Sequence, residues 1–268
     1  MSIEDTNNKE EQAPIFLAGA IGVGVNSIAM LIGWHERGIK PDVLTFADTG
    51  AERKYTYATL EKLRGWCSSV GFPDVNVVRK VRRNGEVETL EESLHRLGVL
   101  PSPVYGAKQC SDRFKIQPQN KFLNNYAPAK AWLKSGGVIT RAIGFDAKEW
   151  HRQRSYDDPK YVNTYPLVDW GWDRDDCVEK CREYGFCGAK SSCFFCPNMK
   201  KSEIISLHKH DPELFQRAID LEVMAAPKNT KVKGLGRSYS WLDVIKADEE
   251  QLKLFEDPPS IGCGCMNI

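Results

Sequence analysis

The chain has 268 residues with 37 Lys and Arg against 36 Asp and Glu, a net charge of +1. No global field therefore draws it to nucleic acid or membrane, and a partner of either kind must be recognised locally. The length suits one α/β domain with an appendage better than two independent domains. No apolar run reaches the roughly 18 residues of a membrane span, and no basic stretch followed by an apolar core opens the chain, so it reads as soluble and cytoplasmic with no membrane partner. Nine cysteines are present, five of them between positions 177 and 196, and in a reducing compartment such clustering favours metal ligation or redox chemistry over disulfides.

In chain order, residues 1–13 are polar and acidic and read as a mobile tail. Ile15 to Ala20 is a short apolar run of buried-strand type. It feeds the glycine turn Gly22-Val-Gly24-Val-Asn26-Ser27, after which Ile28, Leu31 and Ile32 mark one helix face ending near Gly38. A second strand at Val43, Leu44 and Phe46 ends in Asp48-Thr49-Gly50. The pattern predicts a helix over Lys54 to Ser69 and a third strand over Val75 to Val78. That βαβαβ order implies a parallel sheet with ligands at the carboxyl ends of its strands, near Gly22–Ser27 and Asp48–Gly50.

Arg79, Lys80, Arg82 and Arg83 then form a basic run, readable as a solvated edge or as a clamp on a nucleotide phosphate or a nucleic-acid backbone. A short helix is predicted over Glu88 to Leu97, and another after Cys110-Ser-Asp-Arg-Phe-Lys115, running to Tyr126. Gly137 to Phe145 is rich in β-branched residues and predicts a fourth strand, which runs into Asp146, Lys148, Glu149 and Arg152. Tyr165 to Trp172 reads as an aromatic loop, and Asp173 as the N-cap of a helix through Arg182. Helices at Met199–His208 and Pro212–Met224 follow, with an extension to residue 268. His208 and His210 end a helix, where positive charge is explained by the helix dipole, and Gly234-Leu-Gly236-Arg237 has the form of an anion-binding turn.

The turn GVGVNS, the strand end FADTGAE, and then CSDRFKIQP, GFDAKEWHR, YPLVDWGWDRDDC and KSSCFFCP in that order resemble the phosphoadenosine phosphosulfate (PAPS) reductase family. That family belongs to the pyrophosphate-loop, or adenine nucleotide alpha hydrolase, superfamily, and the likeness is to a divergent branch found in phage genomes. It covers most of residues 15–225. It implies an α/β, doubly wound parallel sheet with a cysteine-rich helical C-terminal part: a nucleotide-binding core over 14–160, a metal-binding helical part over 161–225, and an extension over 226–268. The family loop is usually Ser-Gly-Gly-x-Asp-Ser; here Gly22 stands for the first serine and Asn26 for the aspartate associated with catalysis and magnesium, while Gly24 and Ser27 are kept. The resemblance implies an adenine nucleotide, PAPS or ATP, at Gly22, Gly24, Asn26, Ser27, Asp48, Thr49, Gly50, Lys115 and Arg152, with Glu149 as a catalytic group.

Cys193-x-x-Cys196-Pro brings two sulfurs to one centre. Spacing leaves the remaining ligands open, with Cys181 and Cys187 among the candidates; the resemblance favours Cys110 and Cys177 and a [4Fe-4S] cluster, with zinc as the alternative. In reductases of this family a tail cysteine in Glu-Cys-Gly-x-His attacks the sulfonate. Here the tail is Gly262-Cys263-Gly264-Cys265-Met266, without that Glu or His, so Cys263 and Cys265 are the candidate nucleophiles. The implied enzyme reduces or transfers sulfur with a thiol electron donor or a sulfur donor. The alternatives are magnesium-dependent, ATP-pyrophosphatase-type adenylation for nucleoside or nucleic-acid modification, and a non-catalytic nucleotide- or nucleic-acid-binding protein with structural zinc.

Overall fold

The computed structural model describes residues 14–101, 109–153, 158–186, 191–228 and 231–256. The tail at 1–13, Cys187, Cys263 and Cys265 lie outside them. In chain order the elements are β1 (Phe16–Ile21), α1 (Val25–Glu36), β2 (Val43–Ala47), α2 (Lys54–Ser69), β3 (Val75–Val78), α3 (Leu90–Leu97), α4 (Gln109–Ser111), a π-helical turn (Asp112–Ile116), α5 (Gln117–Asn125) and α6 (Ala127–Lys134). Then come β4 (Ile139–Ile143), a 3-10 turn (Ala147–Arg152), β5 (Tyr161–Thr164), α7 (Pro166–Asp169), α8 (Arg174–Glu183), α9 (Lys201–His210), α10 (Pro212–Ala225), a second 3-10 turn (Ala226–Lys228) and α11 (Trp241–Glu256). They fall into two compact units that interleave along the chain.

The sheet unit, within Met1–Phe46, Ala58–Val78 and Gln119–Lys190, carries an all-parallel five-stranded sheet of order β3-β2-β1-β4-β5. Ala18 pairs with Val43 on one side of β1 and with Arg141 on the other. Side chains alternate along β1. Leu17 and Ile21 join a core with Ile28, Leu31 and Trp34 of α1, Leu63 of α2 and Cys177 and Cys181 of α8. Phe16 and Ala18 join the opposite core with Leu123 and Ala129 of α5 and α6 and Ile139 of β4. A strand apolar on both faces is what a sheet covered by helices on both sides demands, and this is the doubly wound arrangement. The expected strands and helices through β3 are present, as are β4 and a capping box at Asp173 opening α8. The expected aromatic loop at 165–172 contains α7, and β5 and α6 were not anticipated.

The helical unit, within Ala47–Tyr57, Arg79–Pro118 and Ser191–Ile268, centres on α10. Leu214, Phe215, Ala218, Leu221 and Ala225 on its inner face meet Leu90 and Leu94 of α3, Ile204 and Leu207 of α9 and Trp241 and Val244 of α11. Phe194 and Phe195, the two residues inside the Cys-x-x-Cys turn, are 1% and 0% exposed in the same core. That aromatic pair anchors the turn, since burying each ring removes a large apolar surface from water.

Candidate functional site

In the sheet unit the strand order reverses between β1 and β4, the switch point where doubly wound sheets bind ligands. The turn Gly22–Ser27 lies at the carboxyl end of β1 and opens α1. Gly24 is the N-cap of α1, which has no side-chain cap and no acidic residue in its first turn, so its first N–H groups face out of the helix end. Val23 holds φ at +55°, a strained conformation for a β-branched residue. Gly144, just past β4, packs against the loop so closely that a Cβ there would lie 3.0 Å from the backbone of Asn26 and Ser27.

Asn26 sits at the centre of a charged network. Its Nδ2 donates to Asp146 Oδ2 and to Glu149 Oε2, each at 3.1 Å, and its Oδ1 accepts from Arg174 Nη1 at 2.7 Å. Asp146 is 5% exposed and also caps the turn that carries Glu149. Glu149 pairs with Arg152, whose guanidinium lies 4.2 Å from the centre of the Phe145 ring. An aspartate at position 26 would face two carboxylates; the neutral amide can donate to both. The loop itself thus carries no acid at this position, two acids reach it from the end of β4, and Arg174 directs its charge at a neutral oxygen.

In the helical unit the strand end Asp48-Thr49-Gly50 is equally constrained. Asp48, 3% exposed, accepts from the Gly50 N–H at 2.8 Å, from the Tyr57 hydroxyl at 2.9 Å and from Arg79 Nε at 2.8 Å. Gly50 has φ +70°, and a Cβ on it would come within 2.5 Å of Thr89 Cγ2. These residues line a half-open pocket of about 240 Å³ with Tyr57, Arg79, Val87, Glu88 and Thr89. Glu88 receives Lys80 Nζ at 2.9 Å, Arg82 Nη2 at 3.0 Å and Arg96 Nη2 at 2.9 Å. Burial pushes its carboxyl up, but the hydrogen bonds from Lys80, Arg96 and Arg82 outweigh that and hold it at about 2. Arg79, Lys80 and Arg82 of the basic run are thus bound to buried carboxylates, while Arg83 is exposed.

Cys110, Cys193 and Cys196 are all partly buried against the core of this unit. Cys193 Sγ lies 3.2 Å from Thr49 Oγ1 and 3.8 Å from Glu52 Oε1, and the Phe194 N–H donates to the Ala51 carbonyl at 2.9 Å, which ties the cysteine turn to this strand end. Lys115 Nζ, on the π-helical turn, is 3.9 Å from Glu52 and acts electrostatically on all three cysteines. Burial and Glu52 push the Cys193 thiol up to about 12, against Lys115 and Thr49. Three thiols in one unit are donors of the chemical type that holds thiolate-bound metal, whose charge would reverse that thiol shift. Among the described residues no three His, Cys, Asp or Glu side chains already close on one metal position.

Of the expected site residues, Gly22, Gly24, Asn26, Ser27, Glu149 and Arg152 come together in the sheet unit. Asp48, Thr49, Gly50, Lys115, Cys110, Cys193 and Cys196 belong to the helical unit. Cys177 is in the sheet unit, 0% exposed in the core that α8 shares with α1, with its thiol raised to about 12 by burial and by Asp146. Sequence reasoning missed Arg174, Gly144, Glu52 and Glu88. The only signals were a cap at Asp173 that places Arg174 at the first helical position, a glycine directly after β4, and an acid inside the FADTGAE segment.

No family model and no curated protein matches the chain. Among solved structures it is similar to the U34-tRNA thiolase NcsA from Methanococcus maripaludis with its [4Fe-4S] cluster, at 14% identity over 95% of this chain and 78% of that one, with a TM-score of 0.41. At that distance neither ligand nor activity transfers.

Proposed function

We propose that the chain is an enzyme that binds an adenine nucleotide at Gly22–Ser27 and carries out sulfur chemistry with a cluster held by Cys110, Cys193 and Cys196. The observation that supports nucleotide binding is Arg174, whose charge meets the neutral Asn26 amide at the uncapped start of α1. A phosphate there gains backbone donors and a charge-assisted partner. Asp146 and Glu149 favour ATP with magnesium, because they offer the hard oxygen ligands that the loop itself lacks. In this reading Arg174 would hold the phosphates and Asp146 and Glu149 would hold the cation, while an acceptor oxygen attacks the α-phosphorus, forms the adenylated oxygen and displaces pyrophosphate, which leaves that oxygen activated for replacement by sulfur or nitrogen.

When bound, a [4Fe-4S] cluster would supply a sulfur- or electron-handling centre. Cys177 is left out of the ligand set because the α1–α8 core encloses it completely. Protein purified anaerobically should contain iron and acid-labile sulfide, which Cys193→Ser and Cys110→Ser abolish and Cys177→Ala retains. Zinc without sulfide would overturn the cluster. Incubation with ATP and magnesium should release pyrophosphate. Sulfite released instead from PAPS and a thiol reductant would assign the chemistry to sulfonate reduction, with Cys263 or Cys265 as nucleophile.

A further inference from the structure

Lys231, Lys233 and Arg237 are exposed on the segment between α10 and α11. The segment has an anchored inner side: the Leu235 N–H donates to Glu222 Oε1 at 2.6 Å and the Trp241 N–H to the same carboxylate at 3.1 Å. Gly234 is needed there, since a Cβ would lie 2.4 Å from Glu222 Oε1. The anion that this glycine turn binds is thus the protein's own Glu222. Its apolar side chains point the same way, with Val232 9%, Leu235 1% and Trp241 1% exposed. The basic side chains remain outside, and α9 extends their face: Lys201 Nζ lies 5.3 Å from the Tyr239 ring centre, and Arg237 Nη2 donates to Asn198 Oδ1 at 2.8 Å, two residues past Cys196.

We propose that Lys231, Lys233, Arg237 and Lys201, with Tyr239, form a nucleic-acid-binding surface next to the cysteine turn of the helical unit. The acids of this neighbourhood are held at helix starts, Asp243 by the Ser240 N–H at 2.9 Å and Glu203 by the Lys200 N–H at 2.7 Å, and although Asp243 also acts electrostatically on Lys233, the cations outnumber them. A rigid loop with several cations and one aromatic ring suits a phosphate backbone with a stacked base. An anionic bilayer is disfavoured because Val232, Leu235 and Trp241 are turned inward and Leu242 is the one large apolar side chain beside the segment that is exposed, too little to anchor an inserted face. The proposal is independent of the nucleotide and cluster assignments, which use other residues.

The test is fluorescence anisotropy of a labelled single-stranded RNA 20-mer with the full chain at several salt concentrations. The triple variant Lys231→Glu/Lys233→Glu/Arg237→Glu should bind about tenfold or more weakly, with the salt slope lower by about 2, as expected when some three phosphate contacts are lost. A control with the same charge change, Lys121→Glu/Lys130→Glu/Lys134→Glu, uses exposed lysines of α5 and α6 and should retain most of the affinity. Lys231→Ala/Lys233→Ala, in which the Arg237 bond is kept, should show an intermediate loss with an unchanged melting curve. Equal loss in both triple variants, no RNA binding by the wild type, or binding only to phosphatidylglycerol vesicles would each overturn the proposal.

Discussion

The helical unit contains two basic stretches that look alike as sequence and differ as chemistry. In the stretch Arg79 to Arg83, Arg79, Lys80 and Arg82 fold onto Asp48 and Glu88, two carboxylates 3% and 2% exposed, and Arg83 is exposed. Between Lys231 and Arg237 the buried acid, Glu222, is occupied by backbone N–H groups instead, and the cations stay exposed. The charge offered to a partner is set by where the local carboxylates are spent, and a count of Lys and Arg does not reveal it. The same distinction holds at the nucleotide loop: Arg152 is paired with Glu149, while Arg174 meets only the neutral end of Asn26 in their hydrogen bond.

The sharpest way to break this contrast is Glu88→Ala, which strands three cations around a buried position and should lower unfolding stability by about 3–5 kcal/mol in a denaturant titration. The same pairing sets a pH dependence. The folded-state carboxyl of Glu88 is depressed from 4.5 to about 2, so its stabilisation is complete above 4.5 and is lost as pH falls toward 2, about 3 kcal/mol in all. Glu88→Gln should flatten that part of the profile.

Glu222→Ala should cost about 2–4 kcal/mol, because two buried N–H groups lose their acceptor, and it should weaken RNA binding by loosening the loop. Unchanged stability would show that the carboxylate is not the anchor. Asn26→Asp replaces a donor shared by two carboxylates with a third acid and should cost about 2 kcal/mol at neutral pH. The deficit should shrink in mildly acidic buffer as the introduced carboxyl takes up a proton. The smallest effect belongs to Arg82→Ala, which should change RNA affinity by less than about twofold, since that side chain already serves Glu88; a large loss would move the nucleic-acid surface back to the first stretch.

Much of the sheet unit was legible because burial on both faces leaves short, mostly apolar runs, as at Phe16–Ile21 and Val43–Ala47, the first of them followed by a glycine turn and a helix. β5 was not, because Tyr-Val-Asn-Thr is short and half polar and becomes a strand only by pairing with β4. α11 carries an amphipathic pattern but lies in a stretch that no motif marked out. At the site, strand ends and glycines showed where a ligand belongs. Partnership did not show: that Asn26 would meet Asp146 and Arg174, 120 and 148 residues away, or that Glu88 would absorb the basic run, depends on contacts made only when the chain folds.

The central claim is that the start of α1 receives the phosphates of an adenine nucleotide with Arg174 as their partner. Titration calorimetry of the wild type and of Arg174→Ala with ATP and magnesium tests it most directly. The account predicts saturable one-to-one binding by the wild type and an affinity lower by about tenfold or more in the variant, in keeping with one charge-assisted hydrogen bond to phosphate. Equal affinities, or no binding of ATP or PAPS by the wild type, would contradict it.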